Sequence, residues 1–474
     1  MKKALCALCL TSCFIFSQNT QAKTNLEVLP SYNQWVNHAN TLGKYWLHED
    51  AKGTPIGNFP TWRCNDGSLR NQKLCTGETT LHGLEQFYDK DFLRMQSRQT
   101  FAYGALFNLT GNEEYLRLHQ AGVKFLLEKA KDPQGGFYMY FKNGQKLNEK
   151  PLTRTTQDLS YALVGLAMNA YLTHDQKVID TIISTQKYIY DTYYDKDKGL
   201  LRWVLEDTEY EKSSALELVA QLDQINAYLL LTWRLVPEAK LAEYSKVVLD
   251  TVKMINDNFY LKEQNRFYGC IDNDKCKNLL EGRHTDYGHT VKAFWMEYLA
   301  ASMAGDKKLL HFAKQGIIDT LNKAKTKNLS SWFGSDNHDE ASWWIYAELD
   351  QAALTLALTN DFDMVNTLYP WINDLTDFDN GELKADLKTH FWRNGFHSTE
   401  HALIGSILSN AIRFNQCQSQ KCKALNQTTL YFAPVNPKDT NFTPYLYDSK
   451  VVEIKDYQSF IGVTFDKIDL PKLK

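Results

Sequence analysis

Two histidines stand where proton chemistry can be done. In DYGHTVKAFW, Asp286 to Trp295, His289 opens an apolar, helix-like run, and Lys292 follows three residues later on the same helical face. In FWRNGFHSTEH, His397 sits between Trp392 and His401, again at the head of an apolar run. An imidazole, with an unperturbed pKa of about 6.5, takes and gives protons near neutrality. Two more segments carry charge into apolar surroundings. SRQTFAYGALF holds Arg98, and SWWIYAELDQ holds Trp343, Trp344 and Glu348, with Trp344 and Glu348 one turn apart on one face. A glutamate beside two tryptophans on an apolar helix is costly to bury unless paired. Asp158 and Tyr161, on another helix-like run, are further pocket candidates. Lys292 raises a question of its own, because an ammonium beside a histidine disfavours imidazolium and favours a neutral base.

These residues must be positioned by helices. Helix-period runs are expected at about 31–48, 87–110, 112–131, 155–173, 174–194, 211–235, 236–259, 285–304, 306–325, 340–359, 361–376 and 396–415. Tight turns alternate with longer loops, and the loops repeat a theme. DPQGGFYMYFKNGQ, DKDKGLLRWVLED and LKEQNRFYGCID each place a polar turn beside an aromatic or apolar strand, and Asn143-Gly144 suits a type I′ hairpin turn. Twelve helices in six periodic hairpins predict an all-α (α/α)6 toroid with short β-hairpins in its inter-helix loops, alternate helices lining the middle. An open superhelix is the alternative, since periodicity does not demand closure. After about residue 425 the pattern alternates like strands. The expected organisation is a signal peptide over 1–22, an N-terminal extension with the first helix over 23–85, the toroid over 86–424 and a small C-terminal β appendage over 425–474.

The chain has 474 residues and a formal net charge of −3, or −5 once Lys2 and Lys3 leave with a signal segment. No basic footprint for nucleic acid is present. The start, MKK followed by ALCALCLTSCFIF and SQNTQAK, reads as a secretory signal cut after Ala22. A lipobox reading would instead lipidate Cys13. No other stretch is apolar for ~18 consecutive residues, so no transmembrane segment is expected. Six cysteines remain, as neighbours: Cys64 with Cys75, Cys270 with Cys276, and Cys417 with Cys422. Short local disulfides in a periplasmic or extracellular protein account for this spacing better than a metal site.

Together the chemical segments resemble those of the N-acylglucosamine 2-epimerase superfamily, which includes cellobiose 2-epimerases and mannose-type aldose–ketose isomerases. YGHTVKAFW is similar to the family's Y-G-H-x-x-E-x-x-W, WWIYAE to its W-W-x-x-A-E, WRNGFH to its W-K-x-P-Y-H, and SRQTFAYGAL to its arginine-bearing segment. The resemblance covers roughly residues 90–415. It implies an (α/α)6 fold and sugar chemistry with no metal and no cofactor. A monomer or homodimer is expected. It assigns His289 and His397 as the catalytic pair, Arg98 to the sugar oxygens, Glu348 to the pocket and Trp392 to packing on the sugar. Departures mark a divergent member. Lys292 replaces glutamate, Gly395 replaces proline, and in LVAQLDQINAY Asp223 and Asn226 replace histidine and glutamate.

In such chemistry one neutral imidazole removes the C2 proton of an open-chain aldose. A second, protonated imidazole reprotonates the enediolate on the opposite face, whereas delivery to C1 gives a ketose. A nearby cation steadies the oxyanion. Lys292 is then free to act on His289, to pair with Glu348, Asp286 or an anionic sugar, or to point away. Three rival functions are open. HSTEH fits an H-x-x-E-H zinc-peptidase pattern. The same toroid hosts glycoside hydrolases and polysaccharide lyases, for which Asp286, Glu348, Asp339 or Asp158 would supply carboxylates. A non-catalytic carbohydrate-binding protein is the third.

Overall fold

The computed structural model describes residues 24–70, 75, 87–385 and 387–473. The expected signal segment, with Cys13, lies outside them. Helices come in pairs: α1 (Tyr32–Trp46) with α2 (Leu93–Thr110), α3 (Glu113–Phe125) with α4 (Thr156–Thr173), and α5 (Gln176–Tyr193) with α6 (Leu218–Gln224). A π-type turn, Ile225–Leu229, carries α6 on into α7 (Leu230–Trp233). Then follow α8 (Glu238–Phe259) with α9 (Tyr287–Ala304), α10 (Lys307–Ala324) with α11 (Trp343–Leu358), and α12 (Leu368–Asn373) with α13 (Phe396–Gln416).

The second helix of each pair is buried on nearly every face, while the longer first helices bury one face only. A helix buried all round belongs inside, and an amphipathic one belongs on the outside. Packing follows this division. α2 packs on α4, α4 on α6, α7 on α9, α9 on α11, α11 on α13, and α13 returns to α2. The ring closes, so the fold is the (α/α)6 toroid and not an open superhelix.

Three helix starts fall later than expected. α2 begins at Leu93, α6 at Leu218 and α11 at Trp343. Ahead of α6, Glu217 is held extended by a β-bridge to Cys270. The helix expected over 361–376 shrinks to α12, because Pro370 is tolerated only near a helix start and would break a longer N-terminal run.

The return loops carry the expected small antiparallel pairs. β1 (Asp91–Phe92), β2 (Tyr140–Lys142) and β3 (Gln145–Lys146) form one sheet, with Asn143 and Gly144 both at positive φ as a type I′ turn requires. β4 (Tyr194–Asp195) pairs with β5 (Leu200–Leu201), and β6 (Tyr260–Leu261) with β7 (Arg266–Phe267). After α14 (Gln420–Leu425) come β8 (Thr428–Phe432), β9 (Asp448–Asp456) and β10 (Ile461–Asp469), in the order β8–β10–β9. This sheet packs on α2 and α13. The segment between β8 and β9 enters the ring, where the Tyr445 hydroxyl donates to Glu400 Oε1 at 2.7 Å and the Tyr447 hydroxyl meets Thr355 at 2.7 Å.

Disulfides join Cys64 to Cys75, Cys270 to Cys276 and Cys417 to Cys422, as the spacing predicts. Such bonds suit an extracellular or periplasmic setting. Among the described residues no helix is long and apolar enough to cross a membrane.

Candidate active site

Every inner helix delivers side chains from its first two turns to one cavity of about 460 Å³. α2 brings Arg94 and Arg98, α4 Gln157 and Tyr161, α6 Asp223, α9 His289 and Lys292, α11 Trp343 and Trp344, and α13 His397. Loops add His284, Ser342, His390 and Trp392. The cavity therefore faces the N-terminal ends of the inner helices, whose unpaired N–H groups favour negative charge.

Asp286 caps α9, its Oδ1 accepting from the His289 backbone N–H at 2.9 Å. Its Oδ2 lies 2.7 Å from His289 Nδ1. An imidazole held this way keeps its proton on Nδ1 and presents Nε2 as a base. Burial lowers the His289 pKa, Asp286 pulls against that, and His284 and Lys292 push it down again, so the ring rests neutral at pH 7. Asp286 itself is pulled to about 2, since the histidine overcomes its burial. Trp344 stands 4.7 Å from the His289 ring, and this closeness depends on Gly288, where an added Cβ would lie 2.8 Å from the indole.

Lys292 neither points away nor reaches Asp286. Its Nζ lies 3.0 Å from Glu348 Oε1, and both side chains are buried. The same oxygen is 3.2 Å from His397 Nδ1. Burial opposes both charges, yet each holds the other: Glu348 keeps Lys292 above the ordinary lysine value, and Lys292 with His397 keeps Glu348 below the ordinary carboxylate value. Burial takes His397 down to about 4, partly offset by Glu348 and reinforced by Lys292. The Trp344 ring, 6.1 Å from His397, stands beside both histidines.

Arg98 is buried, its guanidinium 3.8 Å from the Tyr161 ring and its Nη1 donating to the Trp392 carbonyl at 3.1 Å. Asp223 accepts from Gln157 at 2.6 Å and from the Tyr161 hydroxyl at 3.1 Å. Trp392 is 55% exposed at the cavity mouth, where a ligand can reach it. Three expected site residues do not line the cavity. Asp158 turns to Arg94, 2.7 Å away, and Glu348 lies wholly buried beneath the floor. Asn226 falls in the π-type turn and does not line the cavity.

The zinc-peptidase pattern fails on geometry. His401 is fully buried, its Nε2 2.8 Å from Asp350 and its ring 4.3 Å from Trp371, while His397 turns to Glu348. The two imidazoles are held by different carboxylates and do not converge. Cys270, Asp272 and Cys276 do lie close together, but the two sulfurs are joined as a disulfide.

Residues 80–378 match the family model of N-acylglucosamine 2-epimerase (GlcNAc 2-epimerase). That is well over half the chain, and it takes in Arg98, Asp223, His289, Lys292 and Glu348. The chain belongs to this family.

No curated protein sequence matches the chain. Among solved structures it is similar to a D-mannose isomerase, with TM-score 0.61 and 14% identity over 79% of this chain and 97% of that one. A cellobiose 2-epimerase from Bacillus thermoamylovorans gives TM-score 0.59 and 14% identity over 79% and 98%. A family 76 glycoside hydrolase (mannosidase) from Bacteroides thetaiotaomicron gives 0.56 and 12% over 81% and 100%. At such identities the likeness establishes the toroid alone.

Two departures from the family pattern have local physical reasons. With lysine at 292, the carboxylate beside His289 comes from the helix cap, Asp286, and Lys292 joins the Glu348–His397 pair instead. At Gly395 an added Cβ would lie 2.7 Å from the Trp46 indole, so the proline usual there would collide with α1.

Proposed function

We propose that this protein is an exported carbohydrate 2-epimerase or aldose–ketose isomerase acting on a reducing sugar or oligosaccharide. The observation that carries the reading is the pair of imidazoles in one cavity, each turned through Nδ1 to a carboxylate and both beside Trp344. The three disulfides and the signal-like start support export.

The substrate enters as the open-chain aldose, whose carbonyl acidifies the C2 proton. Neutral His289 takes that proton on Nε2, and the electron pair passes to O1 as an enediolate. Arg98, Lys292 and the helix N-termini face the developing oxyanion, an arrangement that needs no reorganisation as charge builds. Transfer of the O2 proton to O1 moves the carbonyl to C2, and return of the abstracted proton by the same imidazole to C1 gives the ketose. Inversion at C2 requires His397 to arrive protonated, and its low pKa makes that form scarce at pH 7. Positioned proton transfer of this kind contributes roughly 10²–10⁴-fold.

Family 76 hydrolases share the toroid, but a hydrolase needs one carboxylic acid and a second working carboxylate flanking the bond. Here Asp286, Glu348 and Asp158 are engaged by His289, Lys292 and Arg94, and Asp339 is exposed away from the cavity. The deciding experiment incubates aldoses in D2O and follows C2 and C1 deuteration by NMR. Exchange that persists undiminished in both His289→Ala and His397→Ala overturns the mechanism.

A further inference from the structure

Beside the proposed base stands a third imidazole that the proposed chemistry leaves unused. His284 lines the cavity with its ring 4.6 Å from that of His289. Its φ is 56°, in the left-handed region that residues other than glycine seldom adopt and that persists only where the surroundings enforce it. Here residues 269–270 enforce it. The Leu218 N–H donates to the Gly269 carbonyl at 2.9 Å, and Glu217 bridges Cys270. Gly269 also lets the backbone of 283–284 pass closely: an added Cβ would lie 1.7 Å from the Arg283 carbonyl oxygen and 2.6 Å from His284 Cβ. One short segment thus holds Glu217 and His284 together. Glu217 is only 2% exposed, its Oε1 meeting Arg283 at 2.5 Å and its Oε2 lying 3.4 Å from His284 Nδ1. Among the described residues neither Oε2 nor Nδ1 has a hydrogen-bond partner elsewhere, and a buried carboxylate oxygen left so is costly.

We infer that His284, turned by Glu217, is a proton relay between His289 and solvent. Once His289 has taken the C2 proton on Nε2, that proton is either returned to the sugar or exchanged. The His289 side chain is 12% exposed and that of His284 35%, so the more open ring is the way out. With Nδ1 toward Glu217, Nε2 is the nitrogen His284 has left for the cavity. Protonated His289 gives its proton to His284, directly or through one water. His284 releases a proton to bulk water, and a solvent proton returns by the same route. Only N–H and O–H bonds break and form, and charge is conserved. Glu217 touches no substrate: it is a positioning residue that orients the ring and faces the positive charge while His284 carries it.

The relay rests on the proposed function, and a ratio tests it separately from the rate. Aldoses are incubated in D2O, and C2 deuteration of the remaining sugar is divided by conversion to product. Asparagine and glycine both accept the left-handed conformation, so His284→Asn and His284→Gly keep the backbone and remove the relay. Each is expected to lower the ratio at least about ten-fold, less than the roughly 10²–10⁴-fold of a positioned acid or base because solvent also reaches the cavity. Glu217→Gln should shift the ratio in the same direction, and added imidazole should restore it in His284→Gly. A structural role alone lowers exchange and conversion together. A ratio unchanged in both His284 variants, with the wild type active, therefore overturns the relay and spares the isomerase reading. No C2 exchange by the wild type with any aldose overturns the isomerase reading itself, and the relay with it.

Discussion

Lys292 Nζ and Glu348 Oε1 meet at 3.0 Å beneath the cavity, and that same oxygen lies 3.2 Å from Nδ1 of His397. One buried carboxylate thus serves two cationic or potentially cationic partners. The pair has no solvent to fall back on, since Glu348 is 0% exposed and Lys292 3% exposed.

Breaking that pair from either side is expected to be costly. Lys292→Met leaves an uncompensated buried carboxylate and should lose about 3–5 kcal/mol of unfolding free energy, the usual range for half of a buried ion pair. Removing both charges, as in Lys292→Met with Glu348→Leu, should recover most of that loss, because the double variant buries no charge. Urea titration of the three proteins checks this, and a double variant as unstable as the single one refutes it.

The rate profile should report neutral imidazoles. Both histidines are held below the ordinary value, His397 at about 4, so the base form of each dominates at pH 7. The acid limb of kcat/KM is therefore expected below pH 6.5, with activity rising as pH rises through that limb and then level to pH 8. Glu348→Gln removes the carboxylate that favours imidazolium at His397 and should not raise that limb. Lys292→Met removes a charge that disfavours imidazolium at both rings and should move it upward. A limb above pH 7 in the wild type contradicts this charge state.

The toroid was legible in the sequence because helical hairpins recur with the same turn-and-strand return loop, and a unit repeated in that way buries its face against its neighbours. The site was legible for a related reason. Arg98, Tyr161, Asp223, His289, Lys292 and Trp344 all sit near the start of an inner helix, where polar residues in an apolar run stand out. Arg94 and Gln157 were missed, although each precedes a chosen residue by one turn on the same face and the same rule would have found them. His284 and His390 come from loops and carry no periodic signal. Asp158 was misplaced because sequence does not say that Arg94 stands opposite it.

Trp392 is expected to act on substrate and not on stability. It is exposed at the cavity mouth, and Arg98 holds its backbone carbonyl, which any substitution retains. Trp392→Ala should change unfolding free energy by less than about 0.5 kcal/mol, as surface substitutions do. KM should rise several-fold. Steady-state kinetics beside thermal unfolding separates the two effects, and a lowered Tm with an unchanged KM would assign the residue to packing.

Glu400 links the C-terminal appendage to the site floor. It is buried, it accepts from Tyr445, and burial together with Glu348 raises its pKa to about 8, so it is a neutral acid at pH 7. The unfolded chain releases this proton near the ordinary glutamate value of about 4.3. The folded state then binds more protons than the unfolded one between those values. Stability from this group is complete below about pH 4.3 and is lost progressively as pH rises toward about 8, at up to about 1.4 kcal/mol per pH unit. Glu400→Gln copies the protonated acid without titrating. Its stability relative to wild type should therefore improve from pH 5 to pH 8, and a pH-independent difference between the two would show that Glu400 is ionised in the fold.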